Sequence, residues 1–143
     1  MKIQIISVGE PKKHYFAEAI EEYTKRLGQF QVTRTSVKDK PDAYDKIATL
    51  TRGTFVVAMD EHGKQMASRQ LAKFLEEIEL RGETMMSIVI GPADGHPEEF
   101  VRDCDYVLAL SKLTLPHEMA LMFICEAIYR ALSIRNGHPY HRD

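Results

Sequence analysis

The densest set of reactive side chains stands at the end of the chain. His138-Pro139-Tyr140-His141-Arg142 places two imidazoles, a phenol and a guanidinium within five positions, one residue before the last. Imidazole exchanges protons near neutral pH. Guanidinium holds anions through a rigid fork of donors. Chain ends are usually frayed and chemically plain, so these groups suit an end that closes over a site. A metal pair made from His138 and His141 is disfavoured. Pro139 breaks the helix that would align the two rings, and Asp143 is the one further ligand type nearby. No Ser-His-Asp or Cys-His arrangement can be read from the spacing.

Three internal segments add binding chemistry. They are Met59-Asp60-Glu61-His62-Gly63, Gly91-Pro92-Ala93-Asp94-Gly95, and Leu110 to Leu115, where Ser111, Lys112 and Thr114 alternate with leucines. The 91–95 segment has neither the dinucleotide Gly-x-Gly-x-x-Gly pattern nor the Lys-Ser/Thr of a phosphate loop. Its two glycines let backbone approach a ligand closely, and they serve equally well in an ordinary strand-to-helix turn. The 110–115 segment offers apolar walls with polar edges, which suits a flat heterocycle such as adenine. Its leucines can also fill the core while Thr114 and Pro116 start the next helix.

The elements that must position these groups follow from periodicity. Apolar runs predict strands at Lys2–Val8, Thr54–Met59, Met85–Ile90 and Tyr106–Leu110, and alternation predicts a more exposed strand at Phe30–Val37. Helical spacing covers Tyr15–Leu27, with Gly28 as its stop, and also Ala43–Leu50 and Pro97–Arg102. A further helix runs through Leu71, Leu75 and Ile78, with Ser68 as its N-cap and Gly82 as its stop. Continuous apolar strands separated by helices indicate an α/β fold with a mostly parallel sheet covered on both faces. In such sheets ligands bind beyond the carboxyl ends of the strands. The three segments above each follow a strand, and they converge on one crevice if those strands are neighbours.

The final helix is apolar nearly all round, from Met119 to Cys125 without a break, relieved by Glu126, Arg130 and Ser133. A helix apolar on every side needs cover on every side, which points to a homodimer with this helix at the interface. Burial inside its own domain is the alternative. Glu126 and Arg130 also interrupt it as a membrane span, no other run is long enough to cross a bilayer, and the N-terminal apolar run is too short for a signal peptide.

The 143 residues fit one domain, 1–143, with no repeat or linker. Hydrophobic residues make up 44% and charged residues 28%, as in ordinary globular proteins. Cys104 and Cys125 fit no redox or zinc spacing and read as buried thiols in a reducing, cytoplasmic compartment. The net charge of −2 excludes a broadly basic surface, yet a local patch is enough to contact phosphates. Residues 130–143 supply Arg130, Arg135 and Arg142, and Lys12-Lys13-His14 forms a second small cluster.

Taken together, Met1-Lys2-Ile3 with Val8-Gly9, Leu110-Ser111-Lys112-Leu113-Thr114-Leu115-Pro116-His117, Glu126-Ala127-Ile128-Tyr129-Arg130-Ala131 and His138-Pro139-Tyr140-His141-Arg142 resemble one family over essentially the whole chain. This is the RlmH family, SPOUT-class methyltransferases that modify pseudouridine in large-subunit ribosomal RNA. The resemblance implies a C-terminal segment threaded as a trefoil knot, a rare exception to normal chain topology. It implies S-adenosylmethionine as methyl donor, an obligate homodimer, and N3 of a 23S rRNA pseudouridine as target on assembled ribosomes. It places donor binding at Met59, Gly91, Leu110, Ser111, Lys112, Leu113, Thr114 and Leu115, and no metal.

Under that resemblance Arg142 holds the developing anion or a phosphate. Tyr140 positions the base, and His141, or secondarily His138, accepts the proton. The tail then completes the partner subunit's site. Two departures stand out. Pro92 replaces a second glycine and removes one backbone donor, and the 38–53 region is short. Pro92 keeps open a non-catalytic ribosome-associated binding protein on the same fold, and a SPOUT enzyme with another RNA target is a further alternative.

Overall fold

The computed structural model describes residues 1–142; Asp143 lies outside them. Five strands alternate with five helices: β1 Lys2–Val8, α1 His14–Leu27, β2 Val32–Val37, α2 Ala43–Thr51, β3 Phe55–Gln65, α3 Ser68–Leu80, β4 Met85–Ile90, α4 Glu98–Asp103, β5 Tyr106–Ala109 and α5 His117–Arg135. All strand pairs are parallel, in the order β2-β1-β4-β3-β5. The expected α/β class with a parallel sheet is therefore observed.

Period-two alternation along β1 divides the interior. Ile3 and Ile5 face a core with Leu75 and Ile78 of α3 and with Leu121, Ile124 and Ile128 of α5. Ile6 and Val8 point the other way, into a smaller core with Ala43 and Ile47 of α2 and Val89 of β4. Each fully buried Ile or Leu contributes about 1.5–3 kcal/mol from lost water contact. The strands are thus buried on both faces, which is why they read as continuous apolar runs.

Several boundaries differ from expectation for identifiable reasons. α1 ends at Leu27 with Gly28 as its cap, as expected, but a 3-10 turn continues to Phe30, so β2 begins only at Val32 and the reversal falls at Gln31, which takes the left-handed conformation at φ 60°. Ser68 is the first helical residue and not the cap. The Gln70 side chain accepts a hydrogen bond from the Ala67 N–H at 2.7 Å and so satisfies that end of α3. β3 does not end at Asp60. It pairs Met59 with Leu108, leaves the ladder for four residues, and returns with Lys64 again opposite Leu108. Gly63 makes the return feasible, because a Cβ there would lie 2.7 Å from the backbone carbonyl of Val107.

α5 is not enclosed by its own domain. One stripe is buried, including Leu121, Ile124, Cys125, Ile128 and Leu132, while Phe123 on another face is 43% exposed. Cys125 is buried, and burial pushes its thiol up to about 12; Cys104 is only half-buried. Among the described residues no helix is long and apolar enough to cross a membrane.

Candidate active site

β4, β3 and β5 are adjacent, so the three loops at their carboxyl ends meet as the sequence suggested. They enclose a cavity of about 330 Å³. Its walls include Met59 and Ile90 at the strand ends, Leu110, Leu113 and Leu115 opposite, and Ala120 from the first turn of α5. Every expected donor-binding residue lines it except Lys112, which is exposed outside the wall. The leucines divide: Leu110 packs against the main core, whereas Leu113 is 75% exposed.

The excursion of β3 puts its polar residues on the rim. Asp60 Oδ1 accepts hydrogen bonds from the His62 backbone N–H at 2.8 Å, and lies 3.0 Å from His62 Nδ1. Thr114, expected to help start α5, instead donates its hydroxyl to Glu61 and ties the excursion to the 110–115 segment. Pro116 directly precedes the helix. Glu118, in the first turn of α5, accepts hydrogen bonds from the backbone N–H groups of Lys12 and Lys13 at 2.6 and 3.1 Å. Those bonds hold its carboxyl below the usual carboxylate range.

The floor carries a residue that sequence reasoning missed. His96 folds back over its own loop, with Nε2 3.1 Å from the Val89 carbonyl and Nδ1 2.6 Å from the Tyr44 hydroxyl. Since the carbonyl can only accept, Nε2 carries the proton and Nδ1 accepts from Tyr44. Burial pushes the imidazole below its ordinary value, so the ring is held neutral. The signal in the sequence was only a histidine beside the Gly91–Gly95 loop; its partner Tyr44 is 52 positions away.

The tail lies elsewhere. Gly137, at φ 66°, ends α5, with His138 N–H bonded to Ser133 O at 2.8 Å and Gly137 N–H to Ile134 O at 3.3 Å. The chain then turns back along α5. Tyr140 donates to Glu126 at 3.1 Å, accepts from Tyr23 at 3.1 Å, and lies under the Arg130 guanidinium at 4.8 Å. Burial, reinforced by Tyr23 and Glu126, raises the pKa of this phenol and keeps it protonated. His141 Nδ1 is 3.0 Å from Arg130 Nη1, so it acts there as an acceptor. Arg142 and His138 are exposed. None of the four tail residues lines the cavity.

The cavity's composition decides what it can hold. Asp60, Glu61 and Asp94 stand on its wall, while no lysine or arginine does. A phosphate-bearing cofactor would be repelled; a ligand with an apolar heterocycle and positive charge fits. S-adenosylmethionine has both, and Gly91 leaves the space beside His96 that a Cβ, at 3.0 Å from the ring, would occupy. Among the described residues there is no cluster of three or more histidines, cysteines or acids able to hold a metal.

Comparisons with known proteins identify the family. The family model described as "Predicted SPOUT methyltransferase" matches residues 1–141. The chain is similar to Ribosomal RNA large subunit methyltransferase H of Deinococcus radiodurans, 35% identical over 145 residues and 99% of each chain. It is also similar to the protein of that name from Acetivibrio thermocellus, 33% identical over 159 residues, covering 99% of this chain and 100% of the relative. Among solved structures, a probable methylase family protein from Haemophilus influenzae shares the fold. Its TM-score is 0.63 at 14% identity, covering 99% of this chain and 70% of that one. The chain belongs to the SPOUT methyltransferase family, and within it to the RlmH group, whose methyl donor is S-adenosylmethionine.

Proposed function

We propose that this protein methylates N3 of a pseudouridine in 23S ribosomal RNA, acting on assembled ribosomes in the cytoplasm as a homodimer. The name shared by its relatives supports ribosomal RNA as the substrate class. The observation that carries the dimer is the position of the two half-sites along α5. The cavity uses His117 and Ala120 at one end of that helix, and the tail packs on Glu126 and Arg130 toward the other. A helix of 19 residues is about 28 Å long at ~1.5 Å per residue. Within one chain the reactive tail and the donor pocket are therefore apart. Two copies packed through α5 bring the tail of each toward the pocket of the other.

The surface supports that packing. Tyr15, Leu113 and Phe123 are 63%, 75% and 43% exposed. Glu118 ties the start of α1, where Tyr15 lies, to the start of α5, the helix that carries Phe123.

S-adenosylmethionine supplies an electrophilic methyl on a sulfonium. The wall leucines and Met59 hold it in a water-poor pocket, and Asp60, Glu61 and Asp94 favour its positive charge. The nucleophile is an imide nitrogen that must lose its proton before attack, so the site must position the base and favour its deprotonated form. Tyr140, kept neutral, is suited to orienting the base by hydrogen bonding. Arg142 is placed on the tail to hold the developing negative charge or a phosphate, and His141 is assigned the proton, with His138 as the second choice. The contact of His141 Nδ1 with Arg130 must break, or the other ring nitrogen must serve, for that transfer to occur.

The direct test is transfer of labelled methyl from S-adenosylmethionine to ribosomes that lack the modification, followed by mass mapping of the rRNA. The expected result is one added methyl on a pseudouridine of the large subunit. Label on a different RNA would replace the target. Donor binding without any transfer would leave a non-catalytic binding protein.

A further inference from the structure

The loop from Gly91 to Gly95 has lost a backbone donor at Pro92, and its shape is held by other means. A turn closes it, with Gly95 N–H bonded to the Pro92 carbonyl at 2.9 Å and Gly95 at φ 85°. His96 then folds across the loop's start. Its Nε2–H meets the carbonyl of Val89, and its ring lies where a Cβ on Gly91 would be, at 3.0–3.2 Å. Phe100 of α4 stacks on the ring at 4.8 Å between centroids, and Tyr44 of α2 seats its hydroxyl on Nδ1. Both ring nitrogens are thus used, and Phe100 packs against the ring. The imidazole is also part of the cavity wall. Tyr44 is itself held as a neutral phenol by burial, with Asp39 adding to the effect, so it can only donate to Nδ1 in this arrangement.

Protonation would disturb this arrangement in two ways. A proton on Nδ1 would face the Tyr44 O–H, which must then turn round and accept. It would also place a positive charge in the wall of a cavity that takes a cationic ligand. The groups facing the ring set the balance. Tyr44 comes from α2, Asp60 from the β3 excursion, and Phe100 from α4, while Val89 of β4 and Gly91 just after it carry no charge. Asp94 of the same loop, with Glu61, His62 and His117, completes the charged and titratable lining.

We infer that Tyr44 and His96 are positioning residues of the donor pocket. The neutral His96 ring staples the 91–95 loop, and protonating it weakens binding of the cationic donor while sparing the demethylated product. This rests on S-adenosylmethionine being the ligand. It does not depend on the RNA target or on the dimer.

The test is calorimetry with S-adenosylmethionine and S-adenosylhomocysteine, which differ in charge only at sulfur, at about pH 8 and about pH 5.5. For the wild-type protein the donor should weaken by about fivefold or more at the lower pH, while the product changes by less than about twofold. His96→Leu removes the staple and should weaken both ligands by about tenfold at the higher pH. His96→Gln keeps an N–H near the Nε2 position and cannot be protonated. It should bind both ligands within about threefold of wild type and show no change in the donor-to-product ratio with pH. Tyr44→Phe removes the donor to Nδ1 and should move the loss of S-adenosylmethionine binding to higher pH. Should His96→Leu fail to fold, the Gln and Phe variants, which preserve shape, still decide the matter. A wild-type ratio that is constant with pH, or a Gln variant that titrates like wild type, overturns the inference. Wild-type protein that binds neither ligand overturns the donor assignment, and this inference with it.

Discussion

The two ends of α5 are built in opposite ways. Around its first turn the protein is open: leucines and methionine wall a cavity whose polar rim is tied locally, Thr114 to Glu61 and Asp60 to His62. Around its last turns nearly every polar group is engaged: Glu126 with Arg130 at 2.7 Å and with Tyr140, Tyr140 with Tyr23, and Arg135 with Glu79 at 2.6 Å. The first end is a binding site already shaped within one chain. The second holds reactive side chains away from it. The proposed donor pocket and the proposed reactive tail are thus separate within one chain, and a dimer is what would join them.

That separation predicts that deletion of His138–Asp143 abolishes methyl transfer and leaves S-adenosylmethionine affinity, measured by calorimetry, within about twofold of wild type. Full activity in the truncated protein would remove the tail from the site. A large effect of the reverse kind is expected at Gly63. Gly63→Ala drives a Cβ into the Val107 backbone and should cost about 1–3 kcal/mol in a denaturant titration, with weaker donor binding because the β3 excursion shifts. An unchanged midpoint would mean that the excursion is loose and does not shape the rim.

The sequence made the first end of this comparison far more legible than the second. Strand order could not be read, but continuous apolar runs ending at Met59, Ile90 and Leu110 already marked three loops, and adjacency of β4, β3 and β5 gathered them. What escaped was tertiary. The return of β3 beside β5 depends on a register that repeats Leu108 as partner, which no local period encodes. The Tyr44–His96 contact joins α2 to the loop after β4, with β3, α3 and β4 between them in sequence. The tail advertised reactive groups through residue type alone. That Tyr140 is seated on Glu126 and Tyr23 follows from the Gly137 reversal, which turns the chain back along its own helix. The all-round apolar character of α5 was legible, and the exposed Phe123 is its remainder in one chain.

Smaller effects sharpen the view of the second end. Glu79 bonds both the Met1 amino group and Arg135, and these hydrogen bonds lower its pKa. Its stabilising contribution is therefore fully present above the ordinary carboxylate value and is lost as pH falls below it, through the lower folded value. Because Glu79 is about a third exposed, the effect should be about 1 kcal/mol or less. Glu79→Gln should flatten that acid limb of the stability curve; an unaltered limb would assign it to other carboxylates. Tyr23→Phe removes one hydrogen bond to the tail and should lower stability by about 0.5–1.5 kcal/mol, with donor affinity unchanged. A change in donor affinity would show that the two ends communicate within one chain.

Subunit complementation tests the division of labour most directly. One inactive variant lacks His138–Asp143; a second keeps the tail but has its donor pocket blocked by Leu115→Arg. Mixed under conditions that exchange subunits, the two should recover methyl transfer, because each hybrid dimer contains one intact pocket facing one intact tail. Verified hybrid dimers with no recovered activity would contradict a site shared between subunits.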